Sequence, residues 1–282
     1  MIEKSKIRFV FFGTGEEAVY ALTALYAREI TPSLVVTVPD RPVGRHQTLT
    51  PPLAKKWAME HEIPFYQPEK FDRDAIEMIE KEKADTFVVV GYGKILPKIL
   101  IDIPKYKTIN VHTSLLPLYR GPTPIEGPIL AGDDETGISI MVIDELVDHG
   151  PIIAQEKYQL HGNETTPELT KILFTRGGEL LAEILPDWIA GKIKMQEQNH
   201  ALATFTQKLK KEDGLIDLDD SSIKNYRKFR AYAPWPRTFF FQNSKRIIIT
   251  DATLEDNQFT IKKVLPEGRK EIKYEEFKKT NI

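Results

Sequence analysis

Four apolar runs, the first three separated from one another by helical patterns, restrict what this chain can fold into. KIRFVFF (6–12) and LVVTV (34–38) read as buried strands, TFVVVGYG (86–93) as a third that ends on glycines, and KTINVH (107–112) as a fourth. Between them, Glu16–Arg28 spaces Val19, Leu22 and Leu25 for one helical face, and Leu53–Glu60 and Arg73–Lys83 give two further helices. GISIMVI (137–143) and PIIAQEKYQL (151–160) form a strand pair joined by the DELVDHG turn, and Pro167–Ala190 is a long helix closed by Gly191. Such alternation predicts an α/β domain over residues 1–190, with a Rossmann-like, mainly parallel sheet and helices on both faces. Ligands of these sheets lie beyond the carboxyl ends of the strands, and Asn110 and His112 stand at such an end.

The remainder reads differently. Residues 191–207 form a connecting segment. Residues 208–282 hold a short basic helix, Ser221–Ala231, and three short strands, Thr238–Phe241, Arg246–Thr250 and Phe259–Val264. That is a small β-rich domain only partly able to close a barrel. Tyr226, Phe229 and Arg230 on its helix belong first to packing. Among 282 residues the net charge is −2, so the whole molecule does not read as a nucleic-acid binder. Residues 201–282, however, carry 17 Lys and Arg against 12 Asp and Glu, which makes the tail weakly basic. Absence of cysteine excludes disulfides, thiolate nucleophiles and Cys-zinc sites. No His-x-x-x-His pair exists, and no metal is expected. The opening segment is too short in apolar residues for a signal peptide, and no stretch reaches the roughly 20 apolar residues of a membrane span. The chain is therefore expected to be cytoplasmic and away from the membrane; a monomer is expected, although nothing in the sequence fixes the oligomeric state.

Two places carry chemistry. In a strand, residues i and i+2 share a face, so Asn110 and His112 project together while Val111 turns the other way. An amide donor beside an imidazole suits a carbonyl whose oxygen becomes negative. One such donor is worth roughly 10²–10³ in rate. The imidazole can also move a proton near neutral pH. Read alone, the pair is better explained by Asn110 capping the strand and His112 hydrogen-bonding a neighbouring loop. Asp148, in the tight VDHG turn, can be held firmly enough to fix a histidine tautomer or orient a water; read alone, it is ordinary turn chemistry. Leu115, Leu116 and Pro117 give a stiff apolar wall suited to a flat heterocycle.

Taken together, N-V-H-x-S-L-L-P-x-Y-R-G followed by T-G-I-S-I-M and D-x-G resembles the 10-formyltetrahydrofolate-dependent formyltransferases. Supporting pieces run through the chain: FFGTGEEA, PDRPVGR (39–45), Gln67-Pro68, VVVGYGKILP (88–97), AGDDETG (131–137), KLKKEDGLID and RAYAPWP. The likeness is strongest to members that act on methionyl initiator tRNA. It implies a catalytic centre of Asn110, His112 and Asp148, and a folate cleft formed by Ser114, Leu115, Leu116 and Pro117 with Val88, Val89, Val90, Gly91 and Tyr92. It implies 10-formyltetrahydrofolate as formyl donor and the α-amine of methionyl initiator tRNA as acceptor. The PDRPVGRHQ loop would reach the tRNA acceptor stem, with Arg41 and Arg45 on phosphates. The tail would be an OB-like β domain, shortened relative to the family.

Three departures stand out: Gly15 in place of a proline, Thr113 and Pro122-Thr123 where the family has Gly and Ala-Ala, and the short tail. Rival readings are an amino-sugar nucleotide N-formyltransferase or a formyltetrahydrofolate hydrolase using the same centre. More remote is a dinucleotide-binding protein, suggested by FFGTG with Asp40 placed for a ribose contact; it lacks the third glycine. Tyr119 and Arg120 anchor the glycine turn or touch substrate, and His149 reads as a turn residue.

Overall fold

The first apolar run becomes strand β1, Phe9–Gly13, buried at all five positions because both faces of the sheet are covered. The computed structural model describes residues 7–44 and 47–279. After β1 come α1 (Glu16–Ala27), β2 (Leu34–Val36), β3 (Arg41–Val43), β4 (Thr48–Thr50), α2 (Leu53–Glu60), β5 (Phe65–Tyr66) and α3 (Arg73–Glu80). Then follow β6 (Thr86–Val90), α4 (Lys98–Ile101), β7 (Thr108–His112), α5 (Glu126–Ala131), β8 (Glu135–Val142), β9 (Ile152–Gln159) and α6 (Thr166–Ile189). The last part holds α7 (Ser222–Ala231), β10 (Phe239–Gln242), β11 (Lys245–Glu255), β12 (Gln258–Pro266), β13 (Ile272–Lys273) and α8 (Tyr274–Lys279).

These elements divide into two units, each discontinuous in sequence. Met1–Arg120, Gly137–Tyr158 and Thr170–Thr204 form the first; Gly121–Thr136, Gln159–Leu169 and Phe205–Ile282 form the second.

A seven-stranded sheet in the order β5-β2-β1-β6-β7-β8-β9 organises the first unit. The pairs β2–β5, β1–β2, β1–β6 and β6–β7 are parallel, and β7–β8 is antiparallel. The expected α/β architecture is thus present. The chain leaves β1 in one direction through β2 and β5 and resumes on its other side as β6, so a crevice opens beyond the carboxyl ends of β1 and β6. Alternate residues Val10 and Phe12, Leu34 and Val36, Phe87 and Val89 point to one face, where Ile79, Leu100 and Tyr92 cover them. Each such apolar side chain contributes about 1.5–3 kcal/mol on burial.

Closeness of α6 depends on two glycines. A Cβ at Gly177 would stand 2.7 Å from Val111 of β7, and one at Gly178 would stand 2.5 Å from the Ala21 carbonyl of α1. The helix therefore lies directly on the residue between Asn110 and His112. The PDRPVGRHQ segment, expected as a loop, contributes to a short antiparallel hairpin, β3–β4, with Arg41 opposite Thr50. Three-residue strands with a proline among them give too brief a pattern to read from sequence.

In the second unit, β10–β13 form a four-stranded antiparallel sheet in sequential order, one strand fewer than a five-stranded OB barrel. Ile247, Ile249, Ala252, Ile261, Val264 and Phe277 form its core. Both β11 and β12 are longer than the sequence pattern indicates. A register shift around Asp251 lets Ile249 and Ala252, three apart, face the same core, which breaks the period of two. The turns Asn243-Ser244 and Asp256-Asn257 have positive φ at both residues (49°, 61° and 49°, 60°), as two-residue hairpins of this hand require. Arg230 of α7 is buried over Tyr226 and donates to the Glu164 carbonyl, a packing role. Among the described residues, no helix is long and apolar enough to cross a membrane.

Replacing Gly178 by Val forces α6 off α1. Urea unfolding should report a loss of about 1–3 kcal/mol, whereas a wild-type midpoint would show that the two helices are not in close contact.

Candidate active site

Strand β7 presents the first two site residues on one face, because Val111 is consumed by the seat against Gly177. Asn110 lies between Val89 of β6 and Met141 of β8, half-buried. Its carboxamide makes no hydrogen bond among the described residues, so its donors are available rather than spent on a cap. His112 is 5 % exposed. Its Nε2 lies 3.0 Å from the Tyr119 carbonyl, and a carbonyl only accepts, so Nε2 carries the proton of that bond. The other nitrogen, Nδ1, faces Asp148 Oδ2 at 3.7 Å. The structure thus brings His112 and Asp148 together across 36 residues of chain. Nδ1 is the atom at which a proton can come and go, with a carboxylate beside it.

Residues that sequence inspection passed over hold these groups in place. Gln198, buried, accepts from Arg120 Nε and Nη2 at 3.2 and 2.6 Å. Its Nε2 donates to the carbonyls of Asp148 and Gly150 at 2.9 and 2.7 Å. Thr204 Oγ1 accepts from the Tyr119 amide at 2.8 Å, and the Thr204 carbonyl accepts from the Arg120 amide at 2.9 Å. Tyr119 and Asp148 both adopt left-handed backbone, with φ of 57° and 47°, which such ties must hold. Of the two readings open for Arg120, the side chain anchors. His149 is more than a turn residue: it bonds Asp144 at 2.7 Å and stacks on His200 with centroids 4.1 Å apart. Glutamine, threonine and histidine scattered over residues 198–204 leave no local pattern, so only the tertiary structure reveals them.

The SLLP segment is pinned by Ser139 and Gln155. Ser139 Oγ donates to the Ser114 carbonyl at 2.6 Å and accepts from the Leu116 amide at 3.0 Å, while Gln155 Nε2 donates to Ser139 Oγ and to the Leu116 carbonyl. Ser114 and Leu116 are buried, Leu116 against Met141 and Ile152; Leu115 and Pro117 are half-buried. Val88, Val89 and Val90 are core residues of β6, and Gly91 is exposed at its carboxyl end. Tyr92 points into the core against Phe12 and Phe71. Burial pushes its phenol up to about 12, so it stays neutral, and its hydroxyl has no hydrogen-bond partner among the described residues. Thr113 is likewise buried. Thr123 donates its hydroxyl to the Gln207 carbonyl, far along the chain. Arg41 is exposed in β3; Arg45 lies outside the described residues.

The first βα turn is not arranged for a dinucleotide. The Glu17 carboxyl lies against Gly15 and its side chain runs close to Gly91, so a side chain occupies space at the turn where a pyrophosphate would bind. Asp40 is committed to Lys55 at 2.8 Å and Gln67 at 2.7 Å; these hydrogen bonds, Lys55 first, hold its carboxyl below the usual range. No group of three or more His, Asp or Glu among the described residues could hold a metal ion. A cavity of about 620 Å³ in the second unit, lined by Phe239, Phe241, Arg246 and Lys211 among others, contains none of the polar residues described above.

Family comparison matches residues 5–185 to the formyl transferase family and residues 208–267 to the formyl transferase C-terminal domain. The chain is 44 % identical over 249 residues to the methionyl-tRNA formyltransferase of Chloroflexus aggregans, covering 88 % of this chain and 81 % of that one. Among solved structures, a methionyl-tRNA formyltransferase from Clostridium thermocellum aligns with a TM-score of 0.60 at 18 % identity, over 95 % and 99 % of the two chains. An N-formyltransferase from Helicobacter canadensis, in complex with folinic acid and dTDP-3-aminofucose, aligns with a TM-score of 0.64 at 20 % identity, over 88 % and 89 %.

Burial raises the Glu17 carboxyl above its ordinary range, its own amide opposing and Glu16 adding to the effect. A raised folded-state value means that ionisation opposes folding, so the carboxyl's contribution is favourable at low pH and is lost as pH rises through the folded value. Glu17→Gln should be more stable than wild type at pH 8, with the gain shrinking towards pH 4. Urea midpoints that coincide at pH 8 would contradict the burial.

Proposed function

The chain belongs to the formyl transferase family, and from that premise we propose that it transfers the formyl group of 10-formyltetrahydrofolate to the α-amine of methionyl initiator tRNA. The observation that carries the reading is the convergence of an unspent Asn110 amide and the His112–Asp148 pair at the carboxyl end of β7. The curated relative's activity, at 44 % identity over most of both chains, supports the acceptor.

In this reading the amine nitrogen attacks the formyl carbon, and the carbonyl π electrons move to oxygen. The resulting oxyanion accepts from the Asn110 amide and, once neutral His112 Nδ1 has taken the proton shed by the amine, from that Nδ1–H. The tetrahedral centre collapses by breaking its bond to N10 of the folate. The proton shed by the amine passes to N10 through His112 Nδ1, or through a water ordered by Asp148. His112 Nε2 stays bonded to Tyr119 throughout, so proton traffic is confined to one atom. The pinned SLLP segment and the carboxyl end of β6, at Gly91, would receive the folate; the rigid backbone there favours preorganisation over closure.

We also assign residues 1–190 to the catalytic domain and 208–282 to the C-terminal domain, joined through 191–207. Family matches over 5–185 and 208–267 support that division. We further propose that the protein works in the cytoplasm as a monomer. Exposed Arg41, with Arg45, would contact tRNA phosphates. Arg41→Glu should lower tRNA affinity and flatten its salt dependence by about one unit of slope; an unaltered slope would remove the hairpin from the interface.

A labelled-formyl assay tests the whole reading. With 10-formyltetrahydrofolate, label should appear on methionyl initiator tRNA and not on a panel of nucleotide-linked amino sugars or in free formate. Asn110→Ala, His112→Ala and Asp148→Asn should each lose about 10²–10⁴ in turnover with an unchanged urea midpoint. Label on the sugars, or near-normal turnover in all three variants, would overturn it.

A further inference from the structure

A ring of contacts links the two sides of the imidazole. His112 Nε2 donates to the Tyr119 carbonyl; Arg120, the next residue, sends its guanidinium to Gln198; Gln198 donates to the Asp148 carbonyl; and the Asp148 carboxylate faces His112 Nδ1. Gln198 is the member that closes this ring. Its amide oxygen has two lone pairs and takes two Arg120 protons, and its amide nitrogen has two protons and gives both, to Asp148 and Gly150. Every bond it can form is used, and it is only 5 % exposed, so water cannot substitute for it.

We propose that Gln198 is a positioning residue for formyl transfer, fixing how far the Asp148 carboxylate stands from the His112 ring. The proposal rests on the catalytic reading of that pair. Its physical content is a division of labour within one side chain. The oxygen half ties Gln198 to the loop that carries Tyr119, hence to the Nε2 side of the ring. The nitrogen half ties it to the turn that carries Asp148, hence to the Nδ1 side. A polar group two bonds removed from the chemistry can thereby set its geometry, as the hydrogen-bond partners of metal-bound histidines do, at a typical cost of about 10–100-fold when lost.

The two halves can be separated. Gln198→Glu keeps the acceptor for Arg120 and replaces the two donors with an oxygen that repels the Asp148 and Gly150 carbonyls. Turnover should fall about 10–100-fold, with the KM for 10-formyltetrahydrofolate within twofold of wild type. In an Asp148→Asn background the same change should cost less than threefold, because the carboxylate it positions is already gone. The pH profile of the residual turnover in Gln198→Glu should match that of Asp148→Asn. Gln198→Met, which removes the same donors without adding charge, carries the test if Gln198→Glu does not fold. A wild-type turnover in either variant, full multiplication of the two losses in the double variant, or failure of both single variants to fold would overturn the proposal. If Asp148→Asn alone leaves turnover intact, it is the catalytic reading of the pair that fails.

Discussion

The clasp on His112 is the contact on which the rest of the site depends. Nε2 is bound to a backbone carbonyl and Nδ1 faces a carboxylate. A ring held only by its strand would rotate about its side-chain torsions. Held at Nε2 by the Tyr119 carbonyl its orientation is restricted, and the atom left for proton transfer is Nδ1, 3.7 Å from the Asp148 carboxylate. Both partners lie in left-handed backbone, at Tyr119 and Asp148, conformations that persist only where neighbouring bonds maintain them. Those bonds come from Gln198 and Thr204, far along the chain.

The core and the chemistry meet at Val111. One face of β7 is taken by the contact of Val111 with Gly177, and the opposite face is thereby left to Asn110 and His112. The paired glycines of α6, read from sequence as part of an ordinary long helix, are what allow the helix to lie so close. On the other flank of the sheet's crevice, Glu17 fills the first βα turn. The parallel part of the sheet has the strand order of dinucleotide-binding folds, while the Glu17 side chain occupies the turn where a pyrophosphate would sit.

Legibility followed the range of the interactions. Strands β1, β6 and β7 were visible because continuous apolar runs bounded by glycine and polar residues have few other destinies. Asn110 and His112 were visible because a period of two puts them on one face. Their proximity to Asp148 came only from resemblance, since 36 residues of chain carry no record of where the turn will fold. Gln198, Thr204, Ser139 and Gln155 were not visible at all: single polar residues in unremarkable contexts acquire meaning only when a loop docks on them. In the tail, Ile249 and Ala252 share a core through a register shift, so the alternation that marks a strand disappears and β11 reads as shorter than it is. The hairpin turns at Asn243-Ser244 and Asp256-Asn257 lack the glycine that usually signals them.

Nitrogen-resolved NMR of the histidine rings addresses the clasp directly. Long-range proton–nitrogen correlations distinguish a protonated Nε2 from a protonated Nδ1 in a neutral imidazole. With the ring neutral, His112 should appear with its proton on Nε2, slow to exchange because the Tyr119 carbonyl holds it. A neutral His112 carrying its proton on Nδ1, or one averaging rapidly between the two forms, would contradict the account.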